Sequence, residues 1–308
     1  MTDEKNRVPR AAALHDLSCF GRCALTVIDP VLSAMGIQCV PVPTALLSTH
    51  TGGFSDMYFC ALDDAIRGIA DHFEKLGLRF DAVYTGFLGS AEQAGVIGEF
   101  IDRFGSDDGR GGTPLVLVDP VLGDDGELYH TITPALTDAM RRLCIRADVI
   151  TPNITEACLL SGMSYGDALA MSDSDPERLG RLLTSNLICL GGRLRRAVVT
   201  GIRCDGGKSI ATASYDAADG SFALHKQSAW GATTPARALS SPRCCLADCF
   251  AARPLPMPQP RLHPLPHAVP PQRSRAAAES PRATAWRLSL CSAAFRAVSR
   301  QAKIFEIK

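Results

Sequence analysis

Six residues whose side chains can bind a cation or take a proton stand just after short apolar runs of the sequence. They are Asp16, His50, Thr51, Asp119, Asn153 and Glu156. Carboxylate and amide oxygens are ligands that Mg²⁺ prefers, together with water and phosphate oxygens. Taken singly, most of these residues would be ordinary in turns and helix caps, where Asp, Asn and Thr are favoured. Glycine or polar residues follow all six apolar runs, which favours one shared site.

The elements that must position these residues alternate between short β-rich runs and longer helical stretches. Predicted strands lie at 11–14, 38–42, 82–85, 115–118, 149–151 and 197–200. Predicted helices lie at 24–35, 62–76, 91–104, 134–143, 154–160 and 177–187. This alternation predicts an α/β fold with a mostly parallel sheet and helices on both faces. Ligands of such sheets bind outside the carboxyl ends of the strands, where the six residues fall.

Charge and proline content divide the chain into two parts. Lys plus Arg equals Asp plus Glu at 32 each, so the chain lacks the basic excess of nucleic-acid or membrane-surface binders, and we expect neither partner. Residues 231–308 nevertheless hold ten Arg and two Lys against three acidic residues, with eleven of the twenty Pro. We therefore expect a folded domain over 1–229 and a separate, largely disordered Arg- and Pro-rich tail over 230–308.

Three local patterns suggest other chemistry but lack the residues it needs. Gly206–Ser209 resembles the end of a P-loop, but Ile202 stands where that motif needs its first glycine, which favours a hairpin turn. Cys19 and Cys23 lack a second pair of ligands at zinc-site spacing. The twelve Cys are scattered without paired CxxC spacing, which favours reduced thiols and a cytoplasmic protein.

Six segments of the chain together resemble one known family. They are HDLSCFGRCAL (15–25), TALLSTHTG (44–52), YTGFLGSAEQ (84–93), VDPVLGDDGELY (118–129), TPNITEA (151–157) and VVTG (198–201). In order and spacing they resemble the pyridoxal and pyridoxamine kinases of the ribokinase-like superfamily, over about residues 11–225. The resemblance implies a ribokinase-like three-layer sandwich whose C-terminal part is incomplete. A complete fold of this kind is expected to form a homodimer.

The resemblance also implies a reaction and its site residues. The reaction is ATP-dependent phosphorylation of the hydroxymethyl group of pyridoxal, pyridoxine or pyridoxamine, the vitamin B6 substrates, with Mg²⁺ beside the ATP phosphates. The substrate would be bound by Asp16, His50, Thr51 and Tyr84. ATP would be bound by Asp119, Tyr129, Asn153, Glu156 and Thr200. Of these, Asp119 and Glu156 would hold Mg²⁺, and Tyr129 would close over the site on a flexible segment. Phosphorylation of the hydroxymethylpyrimidine precursor of thiamin is an alternative that shares fold and chemistry.

One part of the family pattern is missing from this chain. In the family, a G-T-G-D segment holds the transferring phosphate on backbone N–H groups, and its Asp takes the proton of the substrate hydroxyl. Residues 231–239 read GATTPARAL instead, so the catalytic residue is unidentified. Codons read one base earlier over 231–238 admit G-H-Y-P-G-T-G without restoring the Asp, which favours an out-of-frame tail. The alternatives are a natural basic extension and an inactive protein that still binds the vitamin.

Overall fold

The described part of the chain alternates strands and helices. A computed structural model describes residues 8–51, 54, 56–106 and 112–228. The strands are β1 (Arg10–Phe20), β2 (Gln38–Thr49), β3 (Phe59–Ala61), β4 (Ala82–Thr85), β5 (Leu115–Val118), β6 (Gly123–Asp124), β7 (Glu127–Leu128), β8 (Val149–Ile150), β9 (Arg196–Cys204), β10 (Ser209–Asp216) and β11 (Ser221–Ser228). The helices are α1 (Leu25–Ala34), α2 (Asp63–Lys75), α3 (Ala91–Phe104), α4 (Pro134–Cys144), α5 (Ile154–Ser161), α6 (Tyr165–Ser174) and α7 (Pro176–Ile188).

Nine of these strands form one sheet, in the order β11-β10-β9-β8-β5-β4-β1-β2-β3. Neighbours from β9 to β2 pair in parallel, whereas β10, β11 and β3 pair antiparallel at the two edges. Strands β6 and β7 form a separate hairpin. The mostly parallel sheet confirms the predicted α/β class. The predicted tail from residue 230, with the segment at 231–239, lies outside the described residues.

Both faces of the sheet are buried, which explains why its central strands are apolar along their whole length. Strands β4 and β5 are buried at every residue. Leu14 and Val116 belong to a core cluster shared with α2, α3, α4, α5 and α7. The buried residue Ala13 is next to Leu14 in β1, so its side chain lies on the opposite face of the sheet, outside that cluster. The buried residues of α1 also lie outside the cluster. Since α1 contacts β1 and β2, helices cover both faces, as predicted.

Side-chain caps fix where several helices begin. Ser90, Thr133 and Asp175 precede α3, α4 and α7, and each accepts a hydrogen bond from the backbone amide of the third residue on. Such caps satisfy amide groups that have no partner within the helix. Among the helices of the described residues, none combines the length and apolar composition that a membrane crossing needs.

Three strands are longer than their apolar patterns indicate. Strand β1 continues past residue 14 to Phe20, β2 past 42 to Thr49, and β9 past 200 to Cys204. The extensions of β1 and β2 pair with each other, for example Phe20 with Thr49. Their residues are partly polar, so hydrophobic pattern alone ends these strands too early. Asp16 therefore lies inside β1, which corrects the prediction that it follows the strand.

Some elements have no counterpart in the predicted pattern. These are β3, the hairpin of β6 and β7, α6, and the strands β10 and β11. The hairpin turn predicted around Gly206 is confirmed, since Cys204 and Ser209 pair across it and Gly206 has a φ of +63°.

The Arg193 side chain connects the segments that lead into the central strands β5 and β8. Its Nε and Nη2 donate to the two carboxylate oxygens of Asp148, each at 2.7 Å, and further N–H groups donate to the carbonyls of Gly105 and Pro114 at 2.6 Å. Asp148 in turn accepts from the amide of Val116 in β5 at 2.8 Å. Both side chains of the ion pair are about three-quarters buried, so this planar, bidentate contact is well shielded from water.

We expect Arg193→Lys to lower the free energy of unfolding by about 2 kcal/mol, because an ammonium cannot reproduce the fork of donors and leaves buried acceptors unsatisfied. Arg67→Lys is the control: its ion pair with Glu99 is exposed and the change should cost less than about 0.5 kcal/mol. Urea denaturation of both variants measures the difference. Equal losses would show that Arg193 adds nothing beyond a surface pair.

Candidate active site

The carboxyl ends of the parallel strands form a continuous row at one edge of the sheet. Backbone hydrogen bonds connect neighbouring strand ends: the Asp119 amide donates to the Thr85 carbonyl at 2.8 Å, and the Gly86 amide to the Leu14 carbonyl at 3.2 Å. On the other side, the Thr200 amide donates to the Pro152 carbonyl at 2.9 Å. The predicted site residues on β1, β4, β5, β8 and β9 are therefore brought to one edge.

Asn153 and Glu156 are positioned by the start of α5. The Asn153 side chain accepts from the Glu156 amide at 2.9 Å, and Glu156 Oε2 accepts from the Asn153 amide at 2.7 Å. This reciprocal capping box satisfies amides at the helix start. Glu156 Oε1 also accepts from the Leu122 amide at 3.1 Å, so the turn after β5 is tied to the same carboxylate.

The electrostatics at this end of the row are acidic. Glu156 is only 3% exposed, and burial, followed by repulsion from Asp119, raises the pKa of its carboxyl well above the ordinary value of 4.5. Hydrogen bonds from backbone amides act in the opposite direction. Burial, followed by the same two carboxyls, also raises the pKa of the Cys144 thiol. A buried carboxyl group beside a second, half-buried one that repels it forms a site that a cation would stabilise.

The donor set fits Mg²⁺ bound together with phosphates. Within the described residues, no cluster of three or more His, Cys, Asp or Glu side chains can hold a metal by itself. Mg²⁺ commonly uses one or two carboxylates, water and phosphate oxygens, and needs no cage made only of protein. Asp119 and Glu156 are the residues that could hold it.

Asn153, Thr200 and Tyr129 border this acidic end. Asn153 forms an isolated parallel bridge with Thr200, and its Nδ2 donates to the Gly123 carbonyl at 2.7 Å. Hairpin β6–β7 is further held by the Gly126 amide, which donates to the Thr155 hydroxyl at 2.9 Å. Tyr129 follows this hairpin and packs partly buried against the core cluster. The expected flexible segment is therefore a hairpin bonded to the start of α5.

Asp16 and Tyr84 stand at the other end of the row. Asp16 is 7% exposed, and one of its carboxylate oxygens accepts from the Ser18 hydroxyl at 2.9 Å. The buried ring of Tyr84 meets the ring of His15 edge to face, with centroids 4.3 Å apart. Gly86 permits this arrangement, because a Cβ there would overlap the His15 ring.

His50 and Thr51 directly follow β2. The His50 amide donates to the Phe20 carbonyl at 3.2 Å, and its ring lies 5.0 Å from that of Phe54, edge to face. Gly21 has a φ of +107°, and a Cβ there would overlap the His50 ring. Phe20 is 63% exposed and Phe54 44% exposed, so this end presents aromatic surface instead of clustered carboxylates.

The roles of three groups in the site are not predicted by the sequence patterns. Ser18 holds Asp16, the Leu122 amide holds Glu156, and His15 packs on Tyr84. Ser18 could have been found, because residues two apart in a strand share a face, but only if β1 had been extended past residue 14. The Leu122 amide carries no side-chain signal.

A mostly parallel sheet with helices on both faces and a row of polar residues at its strand ends is the architecture of ribokinase-like α/β proteins, and the solved structures that it resembles share that architecture. The sequence profile of the phosphomethylpyrimidine kinase family matches residues 26–219, and the chain belongs to that family. A solved structure from Bacteroides thetaiotaomicron, assigned to the phosphomethylpyrimidine kinases and crystallised with pyridoxal, is 33% identical with a TM-score of 0.69, covering 82% of this chain and 84% of that one. Pyridoxal kinase from Lactobacillus plantarum is 27% identical with a TM-score of 0.65, covering 81% and 83%.

A curated relative, the pyridoxine/pyridoxal/pyridoxamine kinase of Bordetella avium, is 36% identical over 153 residues, or 48% of this chain and 49% of the relative. The chain thus spans about half the length of the curated relatives it matches.

The raised pKa of Glu156 predicts a pH-dependent stability of the metal-free protein. Below its ordinary pKa of 4.5, Glu156 is protonated in both the folded and unfolded chain and contributes no difference. As pH rises from 4.5 towards the raised folded-state pKa, the unfolded chain has released the proton that the folded chain still holds, so the free energy of unfolding falls. We expect Glu156→Gln to flatten this fall in the pH range above 4.5.

Urea unfolding in the presence of a chelator, across that pH range, measures the effect. Glu127→Gln is the control, because that carboxyl is exposed on β7 and its replacement should leave the slope unchanged. A wild-type slope no steeper than that of Glu156→Gln would contradict the prediction.

Proposed function

We propose that this protein catalyses ATP-dependent phosphorylation of the hydroxymethyl group of pyridoxal, pyridoxine or pyridoxamine. The observation that carries the proposal is the division of one row of strand ends into an acidic half and an aromatic half, which suits a metal-bound nucleotide beside a ring-shaped substrate. The similarity to a structure crystallised with pyridoxal and to a kinase named for all three vitamers supports this choice.

The aromatic half would bind the vitamin. We assign Asp16 and Thr51 to the polar substituents of the pyridine ring, with His50 and Tyr84 lining the pocket. Asp16 is suited to this role because it is buried and already oriented by Ser18. A buried carboxylate with a fixed direction can accept a hydrogen bond from a ligand group that donates, and hydrogen bonds to charged groups are stronger than those between neutral groups.

The acidic half would bind the nucleotide. Asp119 and Glu156 would hold Mg²⁺, which neutralises phosphate charge as the phosphoryl group moves. Asn153 would orient the metal's waters, Thr200 would contact the phosphates, and Tyr129 would border the nucleotide from the hairpin. Phosphoryl transfer depends mainly on positioning and charge neutralisation, and the side chains of Asn153 and Glu156 are already held by hydrogen bonds to backbone groups.

The hydroxymethylpyrimidine precursor of thiamin is the second candidate substrate. It is favoured by one observation: the family whose profile matches is described as the phosphomethylpyrimidine kinases. Both reactions phosphorylate a hydroxymethyl group on an aromatic heterocycle. Comparing the turnover of the two substrates by an active, tail-repaired form of the chain would separate them.

The missing G-T-G-D segment leaves the general base unassigned. Residues 229–308 lie outside the described part of the chain, so we retain the out-of-frame tail, the two-part division at residue 229 and the homodimer as proposals. A reducing, cytoplasmic environment remains a proposal as well; it is supported by the eight cysteines of the described residues, none of which forms a disulfide with another described residue.

Substitutions in the two halves of the site should weaken the binding of different ligands. We expect Asp119→Ala to weaken Mg·ADP binding about 10- to 100-fold, as the loss of a charged contact does, and to change pyridoxal affinity less than about 3-fold. Asp16→Ala should give the opposite pattern. Calorimetric titration of each ligand measures both, with the exposed Asp64→Ala as control. Equal losses for the two ligands in either variant would contradict the assignment.

We expect the sequence of the tail to determine whether this chain has kinase activity. Loss of a general base alone costs about 10²- to 10⁴-fold, and loss of phosphate-holding amides adds about 10²- to 10³-fold if they act like oxyanion donors. We therefore expect little or no pyridoxal phosphorylation by the 308-residue chain, and recovery after a one-base repair that restores G-T-G with Asp placed after it. A coupled assay of ADP release checks this. Rapid turnover by the unrepaired chain would show that the present tail supplies the missing groups.

A further inference from the structure

The parallel pairing of β1 with β2 contains one irregularity, and it lies in the candidate site. Between His15 and Leu17, two residues of β2, Thr44 and Ala45, face the single residue Asp16. Bulges of this kind bend a strand and redirect side chains, and they are frequent beside active sites. Since side chains alternate along a strand, a slip of one residue would turn the rest of β2 over. Because the extra residue belongs to β2, the bulge sets which residues of β2 lie beside Asp16 and the direction of the segment that leads to the end of β2.

The side chain of Gln93, in the first turn of α3, reaches this bulge. Its Nε2 donates to the Thr44 carbonyl at 2.9 Å and to Asp63 Oδ1 at 2.8 Å. Its Oε1 accepts from the Gly89 amide at 2.9 Å. Gln93 and Thr44 are both fully buried. Both amide hydrogens of Gln93 are used, so its orientation is determined by three different elements of the fold.

Thr44 is held from other sides as well. Its carbonyl also accepts from the Leu62 amide at 3.0 Å, and its hydroxyl donates to the Phe87 carbonyl at 3.3 Å. The bulge is thereby connected to the start of α2 and to the loop after β4. That loop contains Gly86, which packs against His15. The Gln93 side chain contacts the bulge through Thr44, the start of α2 through Asp63 and the loop after β4 through Gly89.

We infer that Gln93 is a positioning residue for the substrate end of the site, acting through Thr44 on Asp16 and on the end of β2 that carries His50. Gln93 holds the bulge in one register, and the bulge aims the residues proposed to bind the vitamin. The identity of that ligand rests on the proposed function, whereas the control of the bulge does not.

Hydrogen–deuterium exchange of Gln93→Met tests this without any ligand. The Met side chain keeps the length and apolar stem of Gln93 but has no donor for Thr44. We expect the amides of residues 44–50 to exchange at least about 10-fold faster than in the wild type, with those of 38–42 and of β9 unchanged, because local opening exposes a contiguous unit. Gln38→Met is the matched control on the same strand pair, since Gln38 is exposed and bonds Arg10 at the other end of β2.

Pyridoxal titration is the second readout. We expect Gln93→Met to bind pyridoxal at least about 10-fold more weakly, while Gln38→Met binds it like the wild type. Unchanged exchange at 44–50 in folded Gln93→Met, or acceleration spread evenly over the sheet, would overturn the inference. If the wild type itself does not bind pyridoxal, the proposed function fails and the exchange data still decide the role of Gln93.

Asp63→Ala covers the case in which Gln93→Met does not fold. Asp63 is half-buried in the first turn of α2, and its removal deletes one acceptor of Gln93 without leaving a hole in the core. We expect the same segment, 44–50, to exchange faster, by a smaller factor of about 3. Wild-type exchange in this variant, with Gln93→Met unfolded, would also overturn the inference.

Discussion

Burying the carboxyl group of Glu156 beside Asp119 constrains much of the surrounding structure. A carboxylate that is 3% exposed loses the water that would stabilise its charge, and a second acidic group makes the loss larger. The chain compensates with backbone amides from Asn153 and Leu122. Those amides are available only if α5 begins at Ile154 and the turn after β5 brings Leu122 to the same place. The start of a helix and the path of the following turn are therefore both adapted to one side chain.

At the other end of the row, the buried carboxyl group has different surroundings. Asp16 is also buried, but it accepts from a hydroxyl of its own strand, and the preceding residue, His15, packs on the ring of Tyr84. Strands β4 and β5 separate this end from Glu156 in the sheet order. Two ligands of different chemistry can then lie along one edge, each bound by its own strand ends. Reactions between two bound molecules gain most from such fixed placement.

Apolar periodicity predicts the central strands well because both faces of the sheet are buried and leave runs such as LVLV. It fails where strands leave the core. Residues 15–20 are strand because they pair with β2, and the irregular register at Asp16 is supported by a glutamine far away in sequence. A non-local contact of that kind leaves no periodic pattern. The hairpin that carries Tyr129 has the same origin, since its bonds to Thr155 and Asn153 join segments about thirty residues apart.

Asn153 and Glu156 show that a structural and a functional interpretation of the same residues need not compete. The pattern N-x-x-E is a helix-start signal, and here it forms a complete capping box. Because the helix begins directly beyond a strand end, the cap also delivers an amide and a carboxyl to the edge where ligands of parallel sheets bind. If these residues bind the nucleotide and its metal as proposed, a substitution at either one changes helix stability and ligand affinity together. Only a comparison of unfolding free energy with binding free energy in the same variant can divide the two effects.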